Sequence, residues 1–333
     1  MPILRDVPRL RWGILATGGI AHAFAADLRT AGRDVHAVGS RSAAAAERFA
    51  AQFEVARAHG SYRDLLADDE VDIVYIATPH DSHAEHALAA IAQGKHVLVE
   101  KAFTLTGAQA AAVQQAAEQR GVLAMEAMWT RYLPHMTRIR ELARSGALGE
   151  VRAVFADHTQ RLPVEAGHRL NALSLGGGAL LDLGIYPVSF AVDMLGLPDA
   201  VTARGRLGET GADTEAATIL THASGAISTS LSSSRGAGPN VAHVVGDAAR
   251  IDIDRVWYTP TSFRLITADG ETAETFSCDV AGRGMQYQAL AAEHTIAEGR
   301  RDSEVLPIAE TVAIMRVLDE VRSQLGVRYP QEE

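Results

Sequence analysis

The first 125 residues alternate short apolar, β-branched runs with alanine-rich stretches of helical period. Residues 11–16 read as a strand, 18–30 as a helix, 34–40 as a strand and 42–53 as a helix. Ser61 caps a short helix over 61–67. Residues 72–77 form a near-continuous apolar run, the pattern of a strand covered on both faces. Residues 81–93 are helical and close on Gly94; 96–100, 106–120 and 122–126 follow as strand, helix and strand. This alternation predicts right-handed crossovers and an α/β fold with a doubly wound parallel sheet.

The second half has a different rhythm. Residues 134–144 read as a helix, and Gly176-Gly177-Gly178 opens another that runs through Asp193. Strand-like runs follow at 200–207, 215–221, 226–234, 241–246 and 250–254, with a hairpin turn at Gly225. Late helices fall at 286–298 and 309–324. Successive strands with little helix between them predict an antiparallel sheet and an α+β domain. The expected division is 1–126 and 127–333. In the run 226–232, Ile227, Thr229 and Leu231 alternate with Ser228, Ser230 and Ser232, so the two sets lie on opposite faces. The Ile/Leu face is expected to pack on helices, and the flat serine face to lie in water or against a second copy.

Composition narrows the classes. The chain has 333 residues, 47% hydrophobic and 22% charged, as in a soluble globular enzyme of two domains. Its net charge of −10 disfavours binding to phosphate backbones, so no nucleic-acid partner is expected. The single cysteine, Cys278, excludes an internal disulfide framework and a Cys-rich metal site. No continuous apolar run reaches the ~18 residues of a membrane span. The first residues lack a signal-peptide core, so a cytoplasmic setting is expected.

The strongest local motif is Ala16-Thr17-Gly18-Gly19-Ile20-Ala21, between the first strand and first helix. That is the context of a dinucleotide fingerprint, with Gly18 at the position where a side chain would block the pyrophosphate. Backbone N–H groups at the helix start would face the anion. A tight turn that binds nothing is the alternative. No Gly-Lys-Ser/Thr follows, which excludes a Walker A loop. The second strand ends Gly39-Ser40-Arg41-Ser42, without the carboxylate that usually holds the ribose 2′-hydroxyl of NAD. Arg41 beside two hydroxyls suits a 2′-phosphate, so NADP is expected over NAD.

Three further segments are Thr78-Pro79-His80-Asp81-Ser82-His83, Val99-Glu100-Lys101-Ala102, and the stretch from Gly176 to Tyr186 that contains Leu181-Asp182-Leu183-Gly184-Ile185-Tyr186. With the opening loop, they resemble the glucose–fructose oxidoreductase / inositol dehydrogenase / MocA family over essentially the whole chain. Arg11-Trp12-Gly13-Ile14-Leu15-Ala16-Thr17-Gly18, Met125-Glu126-Ala127-Met128-Trp129-Thr130-Arg131 and the 181–186 segment resemble its dihydrodiol dehydrogenase branch. That branch acts on trans-dihydrodiols and D-xylose with NADP.

The resemblance implies a Rossmann domain for NADP followed by a domain with an open, mostly antiparallel sheet for substrate and homodimerisation. It places Thr17, Gly18, Gly19, Ile20, Ser40, Arg41, Thr78, Pro79, His80, His83, Glu100 and Lys101 at the cofactor. Trp129, Arg131, Asp182 and Tyr186 fall to the substrate, with Lys101, Tyr186 and Asp182 catalytic. The implied reaction moves a hydride between nicotinamide and a CH–OH carbon of a polyol, aldose or trans-dihydrodiol.

The residue chemistry fits this. Lys101 follows a strand's carboxyl end, where it can hold a substrate oxygen and shuttle a proton; a solvated surface lysine is the alternative. Ala102 replaces the family's usual proline and loses its fixed φ. Asp182 and Tyr186, four apart, project to one helix face. A free Tyr titrates near ~10 and needs a nearby cation to act as a base at neutral pH. The plainer alternatives are a core aromatic at Tyr186 and a cap on the glycine-rich turn at Asp182. His83 and His86 lie one helical turn apart, but no third and fourth ligand accompanies them, so no metal is expected and a metal-dependent hydrolase is disfavoured. A non-catalytic dinucleotide-binding regulator on the same fold is the competing reading. His158 and His168 receive no role.

Overall fold

The computed structural model describes residues 9–332, in two compact units. The first holds the described residues up to Trp129 together with Val280–Val312; the second holds Thr130–Asp279 and the residues from Ala313 onward.

In the first unit the elements alternate as the sequence pattern predicts, with one short strand, Arg57–His59, that the pattern did not show. They are β1 (Trp12–Leu15), α1 (Gly19–Thr30), β2 (Val35–Gly39), α2 (Ala43–Phe53), β3 (Arg57–His59), α3 (Tyr62–Leu66), β4 (Ile73–Ile76), α4 (His83–Ala92), β5 (His96–Glu100), α5 (Gly107–Arg120) and β6 (Ala124–Ala127). The six strands are all parallel, in the order β3-β2-β1-β4-β5-β6. The order reverses at β1, which makes the carboxyl ends of β1 and β4 the crevice of a doubly wound sheet. Every residue of β1, β4 and β6 is buried, as two helical layers require. Ser42, Ser61 and Thr106 cap α2, α3 and α5 by accepting from Ala45, Asp64 and Gln109 N–H groups.

The division at residue 126 needs one correction: a late segment returns to the first unit. Asp27 in α1 accepts from the main-chain N–H groups of Arg283 (3.0 Å) and Met285 (2.8 Å). The buried Trp12 indole donates to Glu293 (3.0 Å), whose other oxygen accepts from Arg33 at 2.7 Å. These bonds span more than 250 residues of chain, and no local pattern announces them.

The second unit contains α6 (Pro134–Arg144), β7 (Val151–Thr159), a π-helical turn at Leu180–Gly184 and α7 (Ile185–Leu195). The strands β8 (Pro198–Leu207), β9 (Asp213–His222), β10 (Ile227–Ser233), β11 (Ala242–Gly246), β12 (Ala249–Ile253), β13 (Phe263–Thr267) and β14 (Thr272–Phe276) follow. Helix α8 (Gln286–Ala297) belongs to the first unit, and the division passes through α9 (Ile308–Leu325). The eight-stranded sheet runs β14-β13-β12-β11-β7-β10-β9-β8. All its pairings are antiparallel except β7 with β10. The early strand β7 and the short β13 and β14 fall outside the strands read from the sequence.

Two other expectations are corrected here. In β10 it is Ser228 and Ser232 that are buried, at 3% and 1% exposure, while Ile227 and Leu231 are 45% and 47% exposed. The inner face must be small because the π turn comes close: a Cβ on Gly184 would lie 3.3 Å from Ser232 Oγ. The apolar residues therefore face outward, beside exposed Phe155 and Ile219. Second, Leu173–Leu195 is long and apolar enough to cross a membrane by composition alone, although its apolar residues are interrupted. Of its most apolar window, 94% is buried inside the protein, so that apolarity serves the core.

Candidate functional site

The first unit gathers its site residues at strand carboxyl ends. The β1–α1 turn begins at Ala16, whose φ of 90° is one an L-residue adopts only under strain; this is the first-glycine position of the fingerprint. Thr17 and Gly18 complete the turn. A Cβ built on Gly18 or Gly19 would meet nothing within 4 Å, so the turn is open to close approach by a pyrophosphate. The α1 N-terminus, from Gly19 and Ile20, carries no side-chain cap on its N–H groups. This geometry fits a dinucleotide.

At the end of β2, Ser40 is buried and accepts from the Ser42 N–H at 3.3 Å, while Arg41 is exposed. Arg41 lies near the Tyr62 hydroxyl: burial raises the Tyr62 pKa, and the Arg41 charge opposes that rise. His86 stands edge-on to Tyr62, with ring centroids 5.0 Å apart, and its Nδ1 lies 3.1 Å from Thr78 Oγ1. Burial lowers the His86 pKa. Tyr62 and His86 line a hollow of about 570 Å³ with Leu66, Glu85, Ala89 and Gln93. Sequence reading gave Tyr62 no role and weighed His86 only as a metal ligand; the edge-on ring pair that joins them has no sequence signature.

The loop after β4 holds Pro79 and two buried histidines, His80 and His83. The His83 ring is spent inside the protein. Its Nε2 lies 2.7 Å from the Thr78 carbonyl oxygen and its Nδ1 2.9 Å from that of Ala102. Burial, followed by the nearby His80, pushes its pKa down to about 3, so the ring is neutral and donates to one of them. His83 thus orders two loops rather than meeting a cofactor with its nitrogens. One of those loops follows Lys101. The Lys101–Ala102 peptide bond is cis, and the Phe103 N–H donates to buried Glu126 at 3.2 Å. Glu100 accepts from the Tyr75 hydroxyl; burial raises its pKa, while Lys101 and Arg283 pull it down. Trp129 is buried with the Arg283 guanidinium 5.7 Å from its ring centroid.

The second unit builds its part around the π turn. Tyr186 and Asp182 are both buried, and exposed Arg169 reaches Asp182 at 3.6 Å. A π turn in a helix frequently marks a functional segment. The Leu180 N–H at the start of this turn is capped by Asp213, which accepts from it at 2.6 Å. The Tyr186 ring meets His158 edge-on at 4.9 Å and Tyr258 at 5.4 Å, and His158 stacks on Tyr258 at 3.7 Å. Gln160 Nε2 donates to the Tyr258 hydroxyl at 3.1 Å and lies 2.8 Å from His158 Nε2. Burial raises the Tyr258 pKa. The residue without a role in the sequence, His158, is thus part of an aromatic and amide cluster on Tyr186. His168 instead accepts from the Leu170 N–H in a loop.

Arg131 is corrected as a substrate ligand. It is buried, and it donates to Ser189 Oγ (3.0 Å) and Ser189 O (2.7 Å) and pairs with Asp193 at 3.2 Å. Its guanidinium anchors α7.

With this geometry in place, comparison with known proteins is direct. Residues 10–128 match the oxidoreductase family with an NAD-binding Rossmann fold, named for glucose–fructose oxidoreductase, inositol dehydrogenase and MocA. Residues 136–252 match that family's C-terminal domain. The chain belongs to this family. It is 34% identical to D-xylose 1-dehydrogenase (NADP(+)) of Hypocrea jecorina, covering 97% of this chain and 93% of that one. It is also 34% identical to trans-1,2-dihydrobenzene-1,2-diol dehydrogenase of Mus musculus, over 97% and 99% of the two. A 3-ketoreductase from Actinomadura kijaniata, solved with NADP and TDP-benzene, aligns with a TM-score of 0.83 at 26% identity, over 96% and 98%.

Proposed function

We propose that the protein is an NADP-dependent oxidoreductase acting on a CH–OH carbon of an aldose, polyol or trans-dihydrodiol. The carrying observation is that one chain of this family holds an arginine in place of the ribose acid, a lysine just after β5 and a tyrosine just after the π turn, and that similar chains are an NADP(+) D-xylose 1-dehydrogenase and a trans-1,2-dihydrobenzene-1,2-diol dehydrogenase. NADP, when bound, supplies the hydride acceptor.

The protein's residues do the remaining work. Arg41 pairs with the 2′-phosphate, beside Ser40 and the Tyr62 hydroxyl. Gly18, Gly19 and Ile20 admit the pyrophosphate at the α1 N-terminus. Thr17, Thr78, Pro79 and His80 flank the cofactor, and Glu100 with His83 and Glu126 fixes the turn that carries Lys101. Lys101 and Tyr186 handle the hydroxyl proton as the carbinol is oxidised. Asp182 accepts from a substrate hydroxyl. The test is NADPH formation at 340 nm from NADP⁺ with D-xylose and with trans-1,2-dihydrobenzene-1,2-diol. Turnover of neither, or turnover that survives both Lys101→Met and Tyr186→Phe, ends the proposal.

We also propose a homodimer through the outer face of the eight-stranded sheet. Phe155, Ile219, Ile227 and Leu231 are exposed there on neighbouring strands β7, β9 and β10. A contiguous apolar patch on a sheet is costly in water and self-complementary under two-fold symmetry. Light scattering tests it: the mass of a single chain at micromolar concentration rejects the dimer.

A further inference from the structure

We propose that Asp213 is a positioning residue for the chemistry, one that fixes the start of the 180–186 segment and so the aim of Asp182 and Tyr186. This rests on the functional reading of that segment given above.

The first N–H groups of a helical segment have no partner within it, and a preceding Ser, Thr, Asp or Asn usually supplies one. Here the preceding residues are Gly176-Gly177-Gly178-Ala179, and Ala179 offers no side-chain cap. The cap comes instead from the first residue of β9, 33 positions away: Asp213 Oδ2 takes the Leu180 N–H at 2.6 Å. The glycine run makes room for it. A Cβ on Gly178, where φ is +142°, would lie 2.2 Å from Asp213 Oδ1; one on Gly177 would lie 2.9 Å from Ala172 N. The triplet thus lets a carboxylate lie against the main chain.

Besides Leu180, only the main chain of Ala179 and of Asp213 itself favours the carboxylate's charge. Its Oδ1 is buried and makes no hydrogen bond. Glu215 on its own strand and the buried Tyr329 phenol add no compensating charge, and burial pushes its pKa up to about 7. A neutral cap would cost the fold less. What the carboxyl oxygen supplies, protonated or not, is an acceptor for an orphan N–H at the helix N-terminus. Such a bond matters where register matters. At 3.6 residues per turn, a one-residue slip at Leu180 swings every later side chain by about 100°. Asp182 and Tyr186 lie two and six residues on.

The test compares Asp213→Ala with Asp213→Asn, which keeps an acceptor. Expected for Ala is roughly tenfold faster amide exchange across residues 179–186, with exchange in β12–β14 unchanged. Turnover of NADP⁺ with D-xylose or trans-1,2-dihydrobenzene-1,2-diol falls by roughly tenfold or more, while the NADP⁺ dissociation constant stays within about twofold. Asn restores exchange and turnover to within about threefold. Asp213→Ser, too short to reach Leu180, replaces Ala if that variant does not fold. Unchanged exchange, faster exchange with wild-type turnover, or no rescue by Asn would each overturn the proposal. Tyr186→Phe separates the two readings: wild-type turnover there removes the functional assignment, whereas its loss beside a fully active Asp213→Ala removes Asp213 alone.

Discussion

The two sheets use apolar residues for opposite ends. In β4 all four residues, Ile73 to Ile76, are buried between helical layers. In β10 the apolar residues face out and the serines face in. A sheet covered on both sides leaves only its strand ends for chemistry, so the first unit's site lies in the loops after β1, β2, β4 and β5. An open sheet has faces to use: its inner face sits against the π turn that carries Asp182 and leads to Tyr186, and the outer face of β10 stays apolar. Hydrophobicity therefore marks core throughout the parallel sheet, but on β10 it marks an exposed face.

The largest effect should come from the residues that each arrangement presents. Lys101→Met, at a strand end of the covered sheet, and Tyr186→Phe, on the open sheet's helix, should each lower kcat by ~10²–10⁴ if a proton transfer is lost. Tyr186→Phe should leave the NADP⁺ dissociation constant untouched. Steady-state kinetics with fluorescence titration of the cofactor decides this, and a variant with normal kcat breaks the assignment of chemistry to its sheet.

The two units should also respond to pH with opposite sign. His83 is held neutral in the first unit, its pKa down from 6.5 to about 3. The unfolded chain takes up that proton first, so His83's contribution is lost as pH falls from about 6.5 toward 3, by about 5 kcal/mol in all. Asp213 in the second unit is shifted up, from 3.8 to about 7. There the folded state holds the proton, so the contribution is full at low pH and is lost as pH rises from about 4 to 7, by about 4 kcal/mol. Denaturant melts from pH 4 to 8 should show His83→Gln flattening the loss of stability toward acid and Asp213→Asn flattening the loss of stability toward neutrality. Equal slopes in wild type and variant would refute either assignment.

A matched pair of leucines tests the sheet comparison itself. Leu98→Ala, in buried β5, should cost ~2–5 kcal/mol through lost burial and the cavity left behind. Leu231→Ala, on exposed β10, should cost a single chain less than ~0.5 kcal/mol. If the proposed dimer forms through this face, Leu231→Arg should halve the mass seen by light scattering, because two like charges would meet across it. If Leu231→Ala costs as much as Leu98→Ala in a monomer, the outward face is not a free surface.

The same contrast explains what the sequence could tell. The parallel sheet was legible because both faces are covered, so its strands read as unbroken apolar runs and its helices carry Ser and Thr caps. Period two in β10 was legible too, but its polarity was not: alternation separates two faces without saying which is inside, and the close π turn decides that. The glycine turn, Arg41 and Lys101 were visible because each sits in a short motif after a strand. His158, Gln160 and Tyr258 were not, since they meet Tyr186 only through pairing of distant segments. Arg131 read as a site residue by its neighbours in the chain, yet Ser189 and Asp193 claim its guanidinium. The return of 280–312 hangs on Asp27 and Glu293, ordinary acids until the chain is folded.

The smallest expected effects lie at the end of β2, where the covered sheet offers its cofactor chemistry. Arg41→Ala should weaken NADP⁺ by ~10–100-fold, the worth of a charged hydrogen-bonded pair, and leave NAD⁺ unchanged. Tyr62→Phe removes one neutral hydroxyl from that arginine. Its ring still meets His86, whose Nδ1 lies 3.1 Å from Thr78, so the hollow keeps its shape. The loss should be only ~2–10-fold on NADP⁺ and nothing on NAD⁺. Calorimetric titration of both nucleotides against both variants measures it. Equal weakening of NAD⁺ by Tyr62→Phe would mean that the ring supports the adenine side as a whole, and the selective role assigned to the Arg41–Tyr62 pair would fall.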